Sequence, residues 1–292
     1  MSQITAADVK KLREMSGAGM MDCKKALTET AGDIDAAVDY LRKKGLSAAS
    51  KKAGRVAAEG VVVSVTRGNV GVVLEVNAET DFVSKNDQFV GFVNKLADII
   101  VNQNPADVAA LGALAFDAEF TVDQALSQLI ATIGENMSVR RFERAEVDGG
   151  TVAAYVHGGG KIGVLVGLDK PVAEELARGV AMHVAAANPR FISRDDVDAA
   201  SVERERAVLT DRAIASGKPE AIVDKIVAGQ LSKFYSEVCL LEQDFVMDTD
   251  KKVGNALGDA TVISMARFQL GEGIEKKEDD FAAEVAAQIK GS

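Results

Sequence analysis

The sequence predicts an α+β protein: a small three-helix unit at the N-terminus, a duplicated α+β core with antiparallel sheets, an inserted helical hairpin and a C-terminal helix. Three observations carry this prediction. Apolar residues recur at helical spacing in three short stretches within the first 45 residues, each set off by glycines. A strand-like run, Gly68-Asn-Val-Gly-Val-Val-Leu-Glu-Val76, recurs 92 residues later as Gly160-Lys-Ile-Gly-Val-Leu-Val-Gly-Leu168. Two helical runs, 195–215 and 219–238, are separated only by the turn Ser216-Gly217-Lys218-Pro219, which makes them an antiparallel pair.

The first helix opens at Thr5 with Asp8 in its first turn, the second covers 22–30 and the third 33–44. Val9 and Leu12, then Ala26 and Leu27, then Ile34, Ala37, Val38 and Leu41 supply their apolar stripes, and Gly17, Gly19 and Gly32 punctuate them. Met20 and Met21 leave two readings open, an adaptable surface for a partner or a plug in the bundle core. Residues 42–55 carry six basic side chains and no acid. That stretch reads as a positive last helical turn, suited to the helix dipole, followed by a linker.

In the core, strands over 60–66 and 150–156 precede the two repeated runs through glycine-containing turns, so each copy begins with a β-hairpin. A helix follows each hairpin: Phe89, Phe92, Val93, Leu96 and Ile100 mark the first, and Val172, Leu176, Val180 and Val184 the second. The helices end at Asn104-Pro105 and Asn188-Pro189, which are 84 apart, so the first copy holds eight extra residues. The reading assigns that excess to Glu79-Thr-Asp-Phe-Val-Ser-Lys-Asn86, longer than a strand-to-helix link demands, and surplus loop often carries function. The competing reading tucks Phe82 and Val83 back into the core. The hairpin's second arm is amphipathic through Ile222, Ile226, Val227, Leu231, Phe234 and Val238, while the first is more charged. A strand over 261–270 then leads to a helix starting near Asp279-Asp280-Phe281.

Composition narrows the function classes. A chain of 292 residues with 47% hydrophobic side chains buries more than one core, and its net charge of −10 opposes binding to phosphate backbones. With no Trp, three Tyr and two His, base-stacking platforms and multi-histidine metal sites are not expected. No apolar run is long enough to span a bilayer, and Met-Ser-Gln-Ile-Thr does not open like a secretory signal, so a cytoplasmic location is expected, with no membrane partner. Cys23 and Cys239 are read as free, buried thiols. Glu75, Glu79 and Asp81 beside Lys85 form the one carboxylate cluster an enzyme reading would use, but they lie on a single connection. Gly158-Gly159-Gly160-Lys161-Ile162 lacks phosphate-loop spacing and is a turn, and His183 falls on an apolar helix face as a core histidine.

Four stretches carry a family resemblance: LREMSGAGMMDCKKAL from Leu12, LEVNAETDFVSKN from Leu74, HGGGKIGVLV from His157 with AMHVAAANP from Ala181, and GEGIEKKEDDFAAEVAA from Gly271. Over essentially its whole length the chain resembles the elongation factor Ts family. The resemblance implies an N-terminal domain similar to ubiquitin-associated domains and a non-enzymatic exchange factor, without cofactor or metal, that promotes GDP release from elongation factor Tu during translation elongation. By position it implies a partner-binding loop at Thr80, Asp81, Phe82 and Val83. Phe82 would enter an apolar slot between GTPase helices, and Asp81 would disturb the surroundings of the nucleotide's magnesium ion. It further implies partner contacts at His157 and Gly158, at Met20 and Met21, and at Asp280 and Phe281. The glycine run after His157 departs from the family pattern and makes that side chain's placement less secure than that of Phe82.

The expected domains are 1–55 for the helical unit and basic linker, 56–145 for the first core copy, 146–192 with 239–272 for the second, 193–238 for the hairpin and 273–292 for the C-terminal module. The expected partner is elongation factor Tu, GDP-bound or nucleotide-free, with no direct nucleic acid contact. The hairpin suits either homodimerisation of the complex or contact with the GTPase. The alternative is a non-catalytic cytosolic adapter working through the N-terminal helices and the hairpin.

Overall fold

Thr5 starts the first helix, α1 (Ala6–Ser16), through a reciprocal cap: its hydroxyl accepts from the Asp8 N–H at 3.2 Å, and the Asp8 carboxylate accepts from the Thr5 N–H at 2.9 Å. Gly17, at φ 65°, ends it. Helices α2 (Met20–Glu29) and α3 (Ile34–Lys52) complete a bundle around Leu12, Cys23, Ala26, Leu27, Ala37, Val38 and Leu41. This is a computed structural model that describes residues 4–217 and 219–275, so the expected C-terminal helix, with Asp280 and Phe281, lies outside the described residues.

The first core copy runs β1 (Glu59–Arg67), β2 (Val70–Ala78), α4 (Asp87–Gln103), α5 (Val108–Ala113), α6 (Val122–Ile133) and β3 (Met137–Glu146), with an antiparallel sheet in the order β1-β2-β3. Here the linker expectation fails. Residues 45–52, expected to leave the helix after Lys44, continue α3 instead, because α3 packs along α6. Gly45 looks like a helix stop in the sequence, yet it marks the close approach: a Cβ there would lie 3.0 Å from the Gln128 side chain of α6. Arg42 extends over the Phe120 ring, 5.1 Å from its centroid.

The second copy runs β4 (Thr151–His157), β5 (Ile162–Leu168) and α7 (Glu174–Ala187), then the hairpin α8 (Ala199–Ala215) and α9 (Glu220–Val238). It resumes with the ribbon β6 (Asp244–Phe245) and β7 (Asp248–Lys252), α10 (Val253–Leu257) and β8 (Val262–Gln269), giving a sheet in the order β4-β5-β8. Val164, Val166, Val180 and Val184, from before the hairpin, share a core with Leu240, Phe245, Val253 and Leu257, from after it. The arms of the hairpin meet through Leu209 and Ala213 against Val223, Val227 and Leu231. Val172 precedes α7 and is not on that helix. Among the described residues no helix is long and apolar enough to cross a membrane.

The duplication extends further than the sequence repeat. The third strands are equivalent too: Val72 lies opposite Arg144 and Val164, 92 residues on, lies opposite Arg267. Both central strands shift register at matching points, Glu75/Val76 and Gly167/Leu168. Arg144 donates to the Val101 carbonyl at 3.3 Å and Arg267 to the Ala185 carbonyl at 3.2 Å. Each of those carbonyls lies three residues before a left-handed asparagine cap, Asn104 at φ 45° or Asn188 at φ 47°. A cation at a helix C-terminus satisfies a carbonyl left without an intrahelical donor and opposes the dipole.

The two sheets pack face to face. On β2, Val72, Leu74 and Val76 pack with Phe89, Phe92, Leu96 and Ile100 of α4, while Val73 joins Val62, Leu165 and Phe268 between the sheets. Gly71 and Gly163 occupy matching repeat positions and let the layers approach: a Cβ on Gly71 would meet Leu165 at 2.4 Å, and one on Gly163 would meet Val73 at 3.1 Å. Because Val73 and Leu165 also match in the repeat, these are one contact made in both directions, as expected of two copies related by an approximate two-fold.

The eight extra residues of the first copy are not gathered in the loop. Strand β2 has 9 residues against 7 in β5, and α4 has 17 against 14 in α7. Only the remaining three lengthen the connection, 79–86 against 169–173.

Candidate partner interface

The connection 79–86 leaves the centre of the first sheet, since Ala78 lies opposite both Glu59 of β1 and Met137 of β3. Glu135, in the turn before β3, accepts from the Thr80 N–H at 2.9 Å and from its hydroxyl at 2.7 Å. The Glu79 carboxylate accepts from the Asn136 N–H, and the Asn136 amide donates to the Arg55 carbonyl at 2.7 Å. At the far end Lys85 N–H donates to the Phe82 carbonyl and Asn86 N–H to that of Val83, forming a tight helical turn. The Asn86 side chain then caps α4, accepting from Gln88 and Phe89 N–H at 2.9 and 3.2 Å.

The four loop residues part company within this frame. Val83 is 3% exposed and packs into the first core with Phe89 and Leu74, so it anchors the loop and is not available to a partner. Thr80 is half-buried by its clamp. Phe82 stands 81% exposed beside the exposed Asp81. Of the two competing readings, burial holds for Val83 and exposure for Phe82. A lone exposed phenylalanine means little by itself. Here, however, it projects from a turn held by hydrogen bonds at its start and by the core at its end.

Other surfaces converge on the same edge. His157 is exposed at the end of β4, with its Nδ1 3.1 Å from the Tyr155 hydroxyl. Gly158, Gly159 and Gly160, at φ 61°, 65° and 95°, form a turn closed by Lys161 N–H donating to the His157 carbonyl at 3.1 Å. The turn sits on β1: the Gly160 carbonyl accepts from Val62 N–H at 2.8 Å, and Lys161 Nζ lies 3.5 Å from the Glu59 carboxylate. Glu59 is in turn opposite Ala78, so the glycine turn and the loop share a base.

Met20 and Met21 are 60% and 74% exposed, so neither plugs the bundle. They border a hollow of about 590 Å³ with Ile4, Val9 and the basic Lys10, Arg13 and Lys24. Met20 also lines a second hollow with Gln88, in the first turn of α4 directly after the loop.

The carboxylates of the enzyme reading do not converge. Glu75 is fully buried among arginines, Glu79 caps a backbone N–H, and Asp81 and Lys85 are exposed. The buried His183 accepts from Val246 N–H at Nδ1 and meets Gln243 at 2.9 Å through Nε2, so it is a satisfied core side chain. Cys23 and Cys239 are free and buried. Among the described residues no cluster of His, Cys, Asp or Glu is arranged to hold a metal ion. The clamp residues Glu135 and Asn136 were not anticipated. The only local signal was the turn chemistry of Gly134-Glu135-Asn136, which does not reveal a contact 55 residues away.

The chain is thus a duplicated α+β core that displays an apolar side chain, Phe82, from a braced edge. Comparison with known proteins gives the family. A family model described as elongation factor TS matches residues 79–272. Proteins named elongation factor Ts from Magnetococcus marinus and Rhodospirillum rubrum are 52% and 54% identical to it, each over 99% of this chain and over 99% and 100% of their own length. The one from Clostridium perfringens is 51% identical over 97% of this chain and 98% of its own. The chain belongs to the elongation factor Ts family, and its role lies in the elongation phase of protein synthesis.

Proposed function

We propose that this chain is a cytoplasmic guanine nucleotide exchange factor that promotes GDP release from elongation factor Tu, by docking the 79–86 loop beside the nucleotide and magnesium site of that GTPase and without covalent chemistry. The observation that carries the reading is the braced, solvent-facing Phe82. Phe82 enters an apolar slot of the GTPase, and Asp81 sets a carboxylate against the magnesium surroundings. His157 and Gly158, on the same edge, and the methionine-bordered hollow of the N-terminal bundle supply further contact, as do Asp280 and Phe281.

The thermodynamics is linkage. A factor that binds the nucleotide-free GTPase more tightly than the GDP-bound form weakens GDP by the same factor. Burying one phenylalanine contributes about 1.5–3 kcal/mol. Each tenfold loosening requires about 1.4 kcal/mol. Phe82 alone therefore accounts for roughly one to two decades, and a larger effect draws on the other surfaces. The test is stopped-flow release of a fluorescent GDP analogue from elongation factor Tu. The intact chain should accelerate release and Phe82→Ala should lose most of that acceleration with an unchanged melting temperature, because the side chain is exposed. Full acceleration by Phe82→Ala sinks the mechanism, and none by the intact chain sinks the function.

A further inference from the structure

The first sheet contains an ionic node that its duplicate lacks. Glu75 is fully buried at the register shift of β2, opposite Arg141. Its carboxylate accepts from Arg140 at 2.9 Å, Arg141 at 2.7 Å, Asn77 at 3.2 Å and the Gly271 N–H at 2.8 Å. Burial pushes this carboxyl up, but the bonds from Gly271, Arg140, Arg141 and Asn77 more than offset it, and the net displacement is downward. In the second sheet the matching position is Gly167, opposite Ser264, and both charges are missing. That sheet keeps the same strand order and the same register shift, so the node is not a requirement of the architecture. A buried carboxylate is costly to desolvate, and its role is therefore sought in what its partners hold outside the sheet.

They hold the chain as it leaves β8. Arg140 donates to the Glu272 carbonyl, and Arg141 donates to the Gln269 carbonyl and the Glu272 carboxylate, both at 3.3 Å, while lying over the Phe268 ring. Leu270 N–H donates to the Lys161 carbonyl at 2.9 Å. Gly271, at φ 69°, is pressed so closely on the backbone before β1 that a Cβ would lie 2.3 Å from the Ala58 carbonyl oxygen. Ala58 precedes Glu59, which lies opposite the last residue before the 79–86 loop.

We propose that Glu75 is a positioning residue that fastens the 270–272 turn to the base of the 79–86 loop and so holds in place the base from which Phe82 projects. Its contribution to exchange rests on the function proposed above; the fastening itself does not. Two full-length variants approach the turn from opposite sides. Glu75→Gln keeps the shape of the side chain but removes the charge. Gly271→Ala keeps the Glu75 charge but drives a methyl group into Ala58, which displaces the turn and its N–H bond to the carboxylate. Each should raise amide hydrogen exchange at 270–275 by about tenfold or more, the effect of losing a charge-assisted hydrogen bond, while α7 and the N-terminal bundle keep their protection. Each should also slow stimulated GDP release by a similar factor. Unchanged protection of 270–275 in either variant overturns the fastening, and a released turn with undiminished GDP release overturns its role in exchange. No acceleration by the unsubstituted chain overturns the exchange reading instead; the hydrogen-exchange measurement, which needs no GTPase, tells the two failures apart.

Discussion

Replacing Glu135 with alanine tests whether the loop acts as a pre-set element. Glu135 touches neither Phe82 nor Asp81 in the hydrogen-bond network; it holds Thr80 through two bonds of 2.9 and 2.7 Å. A buried hydrogen bond to a charged group contributes about 1.5–3 kcal/mol. Both of these are partly solvated, so the pair together is discounted to about 2 kcal/mol. Were the clamp the loop's only restraint, that would lower the docking-competent population about thirtyfold. Val83 in the core and the Glu79 bond to Asn136 remain, so the expected loss is about five- to tenfold. A smaller competent fraction weakens apparent affinity in proportion and leaves the bound complex unchanged. Stopped-flow GDP release titrated with Glu135→Ala should therefore show a half-saturating concentration raised about five- to tenfold with the same limiting rate. An unchanged half-saturating concentration refutes the idea that Glu135 pre-sets the loop, even if thermal stability falls.

Two further predictions follow from buried groups. Burial holds His183 below its usual range despite its bond to Gln243, so the folded chain takes up a proton there less readily than the unfolded chain, which titrates near pH 6.5. Stability from neutral His183 is then complete above about pH 6.5 and is lost as pH falls from there through the lower folded value. The urea midpoint should drop between pH 7.5 and 5.5 in the wild type and less in His183→Gln; equal drops would contradict this. Burial likewise pushes the Cys239 thiol up to about 11 and raises that of Cys23. Native protein at pH 8 should resist iodoacetamide and take up two labels only when unfolded, and rapid native labelling would show that these sites open.

The sequence repeat identified the two hairpins, their helices and the asparagine stops, because these rest on short-range patterns of apolar spacing and turn residues. Of the third strands, 137–146 went unread and 261–270 was read as a strand without its place in the repeat. Their equivalence is expressed by Arg144 and Arg267, each aligned with its central strand through backbone pairing more than 70 residues away in sequence, and no local pattern records that register. The stretch 45–52 was misjudged for a related reason: its composition suits a linker, and only the packing of α3 along α6 makes Gly45 an asset.

By itself, then, the sequence determined the α+β class, the duplication, the helical hairpin and the loop from which function was argued, since each is written in residues near one another along the chain. Tertiary structure decided the rest. Phe82 and Val83 are adjacent apolar residues with opposite fates, one exposed and one buried, because a tight turn rotates successive side chains to different sides. Glu75 and Glu79 are both carboxylates of one strand end, but one is enclosed by Arg140, Arg141 and Gly271 and the other caps Asn136. Their partners lie 57 to 196 residues away, and only the packing of the two sheets and the chain beyond β8 brings those donors within hydrogen-bond reach.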